Sequence, residues 1–425
     1  MDFTNKKLLV LGGVVLAKEI VKHAQARNIK VYVTDYLEDS PAKKIADASF
    51  MVSAMDVDAV TALIKHEKID GIITGFVDSL LPYYAMICEK ANLPCYGTLE
   101  QFAIATNKKK FKQLCREYHI PTVVEYDLKY PFDNEAIKVI EYPVLIKPVD
   151  NSGARGVFIC NNEYELKKNY PLALTFSNSK SIIIEKYMNN NEATINYVIQ
   201  DGNITLCSMA DRYLKNKGKN TVPIPVGYTF PSIYLTRYQN TLNQRVIQMI
   251  KAMGIKNGII FIQSFVENGE CIFYEMGYRL TGAMDYKITN KIFGINTMDL
   301  MINFALSGKM DDKDIKPYLY PNFHQSGLIL TFCARPATIG KIVNLDEVNK
   351  IPGVLDIVVS HQVGETIEES DIGTLKQVVF RVFAVYETKQ QMIKMIEKIT
   401  SMVDILSIDN ESIMIDPLDV EQLLL

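Results

Sequence analysis

Apolar positions in the first hundred residues fall into short runs separated by amphipathic stretches. Lys7–Leu11 reads KLLVL and closes on Gly12-Gly13. Residues 16–26 repeat apolar positions at three- and four-residue spacing, which is the helical period, and 30–33 begin a second apolar run that ends near Asp35. A helical pattern over 57–67 leads into Gly-Ile-Ile-Thr at 71–74. Strand-length runs alternating with helices predict a parallel sheet with crossover helices, so this part of the chain is expected to be α/β.

The pattern then changes. Residues 98–117 predict one helix, closed by Ile120-Pro121-Thr122, and 142–149 (YPVLIKPV) predict a strand. A polar, glycine-bearing loop follows, then a strand at 157–160, a helix at 163–168 and a strand at 181–184. Runs at 195–200 and 204–209 flank Asp201-Gly202-Asn203, a hairpin signal. A long helix is expected over 238–253, and a second hairpin over 258–278 turns at Asn268-Gly269. Past 317 come short strands, a helix at 389–399 and a last strand pair. The chain shows no internal repeat and no low-complexity segment.

Composition narrows the class. A length of 425 residues exceeds one ordinary domain, and 48% hydrophobic against 22% charged residues suits a globular chain with a sizeable core. A net charge of −3 calls for neither nucleic acid nor an anionic membrane as partner. No apolar run is long enough to span a bilayer, and the N-terminus lacks the marks of a signal peptide. Seven cysteines, scattered and never at metal-site spacing, are expected to be free and mostly buried thiols in a cytoplasmic protein.

Three segments carry candidate chemistry. In Lys147-Pro148-Val149-Asp150-Asn151-Ser152-Gly153-Ala154-Arg155-Gly156, a strand-end lysine precedes a loop small enough for backbone N–H groups to approach phosphate oxygens. It is not a Walker loop, since no Gly-Lys-Ser/Thr ending is present and a strand follows. Ile182–Met188 is an apolar strand broken by Glu185-Lys186-Tyr187-Met188, where a linker leaving a sheet edge could read an adenine, with Glu192 downstream for ribose hydroxyls. In the second hairpin, Glu275, Gly277 and Arg279 share one strand face. A carboxylate there suits Mg²⁺ and an arginine suits phosphoryl charge. A strict two-residue turn would send Gln263 to the opposite face from Glu275. A bulge or a longer loop would instead pair the two. Read singly, each segment is also what an ordinary turn, strand end or surface hairpin looks like.

Taken in order, these segments resemble the ATP-grasp superfamily, above all the branch like biotin carboxylase and the carboxylate–amine ligases of purine synthesis. The resemblance covers nearly the whole chain. It implies a Rossmann-like domain at 1–97, an ATP-grasp domain at 98–312 with a mobile lid at about 130–203, and a small α+β domain at 313–425. It makes Lys108 and Lys147 phosphate-binding and catalytic lysines, with Ser152, Gly153, Arg155 and Gly156 in the lid loop. Glu185, Lys186, Tyr187 and Met188 become the adenine hinge, with Glu192 near the ribose. Glu275 and Gln263 are the implied Mg²⁺ ligands, and Arg279 faces the acyl phosphate. The activity implied is Mg-ATP-dependent joining of a small carboxylate to an amine. Dimers are usual in the family, which leaves a homodimer open.

Two residues depart from the family pattern. Gln263 stands where a glutamate is usual and Gly277 where an asparagine helps hold a second metal, so weaker metal binding or only one well-ordered ion is expected. The same departures suit an ATP-binding regulatory protein with lapsed catalysis. A carboxylase using bicarbonate is a further alternative, although no biotin-bearing segment is present. Elsewhere, Gly12-Gly13 with Asp35 is too little for a nicotinamide site. The 75–79 loop (Gly-Phe-Val-Asp-Ser) is a candidate substrate contact. His324 and His361 are expected to be structural, and the lysines after Lys108, through Lys112, to be a solvated helix face.

Overall fold

The computed structural model describes residues 1–151, 155–215 and 223–423. The expected α/β opening is present as a parallel sheet of β1 (Lys7–Leu11), β2 (Lys30–Thr34), β3 (Ala48–Phe50) and β4 (Gly71–Ile73) in the order β3-β2-β1-β4. Helices α1 (Ala17–Gln25), α2 (Val57–Glu67) and α3 (Leu81–Ala91) make the crossovers. Leu8, Leu9, Val10 and Leu11 are fully buried, as a central parallel strand covered on both faces should be. Strand β3 was not expected from the pattern. It is three residues long and half-exposed, too short to show a period. Asp35 accepts from the Gly13 N–H at 2.6 Å and from the Leu37 N–H at 2.8 Å, so its carboxylate closes the glycine loop itself.

The helix expected over 98–117 is two: α4 (Leu99–Thr106) and α5 (Lys108–Glu117). Asn107 breaks them by taking an extended conformation and capping α5, its side chain accepting from the Lys109 and Lys110 N–H groups at 3.1 Å. A small antiparallel sheet follows, made of β5 (Val144–Pro148), β6 (Phe158–Cys160) and β7 (Ile182–Lys186) in the order β6-β5-β7, with α6 (Glu163–Thr175) packed on it. Its core is its own, built on Ile137, Val144, Ile146, Leu166, Ala173 and Ile184.

The remaining strands are β8 (Asn191–Gln200), β9 (Asn203–Lys215), β10 (Ile224–Phe230), β11 (Gly258–Glu267), β12 (Glu270–Gly277), β13 (Ser326–Cys333), β14 (Ala337–Ile342), β15 (Val354–Val359), β16 (Thr366–Ile367), β17 (Val378–Tyr386) and β18 (Ile405–Ser407). Eight of them form one antiparallel sheet, β12-β11-β8-β9-β10-β13-β17-β15, so strands from beyond residue 313 continue the sheet begun at residue 191. Strand β8 starts at Asn191 rather than 195 and carries Glu192 into this sheet, although 130–203 was expected to form the lid. The long helix expected over 238–253 is also two, Leu235–Thr241 and Asn243–Ala252. None of the seven cysteines forms a disulfide among the described residues, and six are buried. Among the described residues no helix is long and apolar enough to cross a membrane.

Candidate active site

One cavity of about 360 Å³ lies between the small sheet and the large one. Of the residues singled out in the sequence, Lys108, Lys147, Arg155, Glu185, Lys186, Tyr187, Met188, Glu192, Gln263, Glu275 and Arg279 all line it. Ser152 and Gly153 lie outside the described residues. Gly156 has φ +75°, and a Cβ there would come within 2.5 Å of Phe176, so only glycine fits that turn.

The two lysines approach from different elements. Lys108 opens α5, donates its backbone N–H to Val149 O at 3.0 Å, and directs its ammonium to Asn151 O at 2.6 Å. Lys147 sits near the end of β5 with its ammonium 2.7 Å from Glu185 Oε2 and 5.6 Å from the Tyr274 ring centroid. Glu185 is 2% exposed. Burial works against its carboxylate, but Lys147 and Lys112 together hold it below the usual range. Its side chain is therefore a clamp between lysines, and only its backbone is left for the hinge role.

Lys112 corrects the expectation of a solvated lysine face. It is fully buried, ion-paired with Glu185, and donates to Val123 O at 2.9 Å. Burial draws its pKa down, against the pull of Glu185. The signal was in the spacing: Lys108, Phe111, Lys112 and Cys115 are the buried positions of α5, an i, i+3, i+4, i+7 stripe.

In the hinge, the Lys186 N–H is taken by Val124 O at 3.0 Å and the Tyr187 N–H by Pro143 O at 3.1 Å. The Met188 N–H has no protein acceptor among the described residues. Glu192 receives both Arg212 and the Tyr274 hydroxyl on Oε2, the latter at 2.8 Å. Oε1 is left without a partner among the described residues.

The hairpin combines both geometries that the sequence left open. Glu267 pairs with Glu270 across a tight Asn268-Gly269 turn, and a bulge between Gln263 and Ser264 then shifts the register. Gln263 thereby pairs with Glu275, and the two face the cavity together. Lys108 Nζ lies 3.7 Å from Glu275 Oε1. Among the described residues no group of three or more His, Cys, Asp or Glu could hold a metal. The set fits Mg²⁺ on chemical grounds, as one carboxylate and one amide oxygen, with phosphate oxygens and water left to complete the shell. At Gly277 a Cβ would come 2.2 Å from the Phe261 ring, so the position that departs from the family asparagine has no room for any side chain.

Arg279 points into the N-terminal unit. Its Nε donates to Asp78 Oδ1 at 2.7 Å, Nη2 to Asp78 Oδ2, and Nη1 to Leu280 O at 2.8 Å. Burial works against its charge, and Asp78 more than restores it. Asp78 ties the 75–79 loop to the site, and Phe76 of that loop lines the cavity. His361 bonds Glu365 and Lys376 O, as expected of a structural histidine.

Comparison with known proteins shows what the chain is similar to. Residues 107–313 match the family model described as carbamoyl-phosphate synthase L chain, ATP binding domain. The formate-dependent phosphoribosylglycinamide formyltransferase of Sulfurisphaera tokodaii is 29% identical over 328 residues, 71% of this chain and 76% of that protein. The L-amino acid ligase of Bacillus licheniformis superposes with a TM-score of 0.76 at 18% identity, covering 95% of this chain and 99% of that one. The biotin carboxylase domain of Hydrogenobacter thermophilus 2-oxoglutarate carboxylase, solved as a dimer with MgADP, gives 0.73 at 18%, covering 95% and 91%. With the lysine pair, the hinge and the Gln263–Glu275 hairpin all around one cavity, the chain resembles the ATP-grasp proteins: residues 107–313 match that ATP-binding domain, and the chain shares the fold of these solved relatives.

Proposed function

We propose that the protein is an ATP-dependent carboxylate–amine ligase. The observation that carries this reading is the convergence of Lys108, Lys147, the Met188 hinge and the Gln263–Glu275 pair on one cavity. The adenine would accept from the free Met188 N–H, and Glu192 Oε1 would take a ribose hydroxyl. Lys108 and Lys147 would lie along the phosphates, where fixed positive charge lowers the barrier to phosphoryl transfer. A substrate carboxylate oxygen attacks the γ-phosphorus, the bond to the bridging oxygen breaks, and ADP leaves. An amine then attacks the acyl carbon of the acyl phosphate, inorganic phosphate leaves, and the nitrogen loses a proton. Glu275 and Gln263 would hold Mg²⁺, which neutralises phosphate charge when bound. Arg279 would face the acyl phosphate, its plane set by Asp78. The small sheet with α6 would serve as the lid that keeps water from the acyl phosphate, with its body ending near Met188.

The test is ADP release with Mg-ATP against paired panels of carboxylates and amines. Release that needs one acid and one amine together supports the ligase. Lys147→Ala should abolish that release with the fold intact, and wild-type turnover in this variant would sink the site assignment. Gln263 and Gly277 favour one rival, an ATP-binding protein with lapsed catalysis. A large gain of turnover in Gln263→Glu would support that rival. The free thiols suit a cytoplasmic setting, and a homodimer is the assembly to look for by light scattering.

A further inference from the structure

We propose that Arg381, from the C-terminal strand β17, is the anion anchor for the substrate end of this cavity, taking a carboxylate carried on an apolar body. The proposal rests on the ligase reading and names its substrate class.

Arg381 is 4% exposed and lines the cavity. Among the described residues its side chain makes no hydrogen bond and no ion pair, and its Nε is buried without a partner. Residues 152–154, 216–222 and 424–425 contain no Asp or Glu, so no acidic side chain there could serve it. The other buried cations at the cavity or just behind it have acidic neighbours: Lys108 has Glu275, Lys112 and Lys147 share Glu185, Arg212 has Glu192 and Arg279 has Asp78. Burial draws the Arg381 pKa down, and Tyr228 and Cys333 offset this only in part.

A second orphan lies beside it. Thr331 is the direct cross-strand partner of Arg381, so their side chains share a face, and among the described residues Thr331 Oγ1 is also buried with no hydrogen-bond partner. A guanidinium and a hydroxyl left unsatisfied side by side are costly in an unliganded protein. They become complementary once a carboxylate arrives, because the planar fork of arginine matches its two oxygens. The nearby walls supplied by Leu214, Pro223, Ile224, Pro225 and Leu375 are apolar. One unmatched cation suits a monoanion better than a phosphate dianion. Arg279, committed to Asp78, is the weaker anchor.

The experiment uses the full chain with Mg-ADP present. The probes are 4-methylpentanoate and benzoate, each set against its amide, and binding is read by calorimetry and thermal shift. Wild type should bind the acids and not the amides. Arg381→Met should weaken acid binding at least tenfold, Arg381→Lys should keep part of it, and Mg-ADP affinity should be unchanged in both. Without acid, Arg381→Met should melt a few degrees higher than wild type, because a buried unmatched charge has gone. The proposal is overturned if the acids bind Arg381→Met as they bind wild type, if amides bind equally, or if wild type binds neither acid. A lower melting point in Arg381→Met would mark a structural arginine and overturn it as well. Because equilibrium binding is read, silence in the ADP-release assay leaves this result standing, and failure here leaves the ligase assay untouched.

Discussion

At Lys112 the chain takes a cation fully out of water because Glu185 is waiting for it, against the repulsion of Lys147. Glu185 sits between Lys112 and Lys147, so the triad fixes from behind the position of the lysine proposed to bind phosphate. Removing Glu185 would leave two buried ammonium groups uncompensated, which costs on the order of 3–5 kcal/mol, whereas removing Lys112 leaves the Glu185–Lys147 pair matched. Glu185→Gln is therefore expected to lower stability by about that much in denaturant titrations and to weaken ATP binding, because Lys147 loses its anchor. Gly277 is a different kind of constraint. The Phe261 ring fills the space above it and stacks with the Arg279 guanidinium 4.9 Å away. Gly277→Asn should therefore lower the melting temperature without tightening Mg²⁺ binding, since overpacking costs about 1–3 kcal/mol. These residues mark what was legible in the sequence. Lys147, Glu275 and the hinge stand at strand ends, where a break in apolar pattern gives them away. Lys112 and Asp78 owe their places to partners that are distant in sequence, and Arg381 to a cavity that only the fold assembles, and no local pattern carries that information.

Elements divide between those that local chemistry dictates and those that it only suggests. The Asp201-Gly202 and Asn268-Gly269 turns were readable because both residues in each take positive φ. The bulge that turns Gln263 toward Glu275 was not, because it depends on how β11 also pairs with β8. The split of α4 from α5 falls in Thr106-Asn107-Lys108-Lys109-Lys110, a polar stretch with no apolar period to show a break. The small sheet of β5, β6 and β7 keeps its own core, so it can open with little loss of packing elsewhere. Hydrogen exchange should show the amides of β6 and α6 exchanging through a lower-energy opening than those of β8 and β11. Nucleotide should slow the lid amides selectively. Equal protection in both sets would count against a separately opening lid.

For the whole molecule, the N-terminal unit, the large sheet and the C-terminal strands are joined by buried charge. Lys287 bonds Glu19 of α1 at 2.7 Å and Asp356 of β15 at 2.6 Å. Two residues earlier, Asp285 has no such cation. Burial pushes its carboxyl up to about 7, eased by the Ser208 hydroxyl at 3.5 Å. A folded pKa above the unfolded value means that the folded state binds the extra proton. That stability is fully present below about pH 4 and is lost as pH rises through about 7. Asp285→Asn should therefore gain on wild type between those limits, by up to roughly 4 kcal/mol, and the difference should then level off. A difference in melting temperature that is flat with pH would contradict this.

The continuity of the eight-stranded sheet has a practical corollary for anyone trimming the protein. The segment that matches the family model stops at residue 313, yet β10 finds its outer neighbour in β13, which begins at Ser326. A chain ending at residue 312 would leave β10, buried along its whole length in the intact protein, as a bare apolar edge open to strand addition. Such a fragment should precipitate or form ladders of oligomers instead of behaving as a minimal nucleotide-binding module.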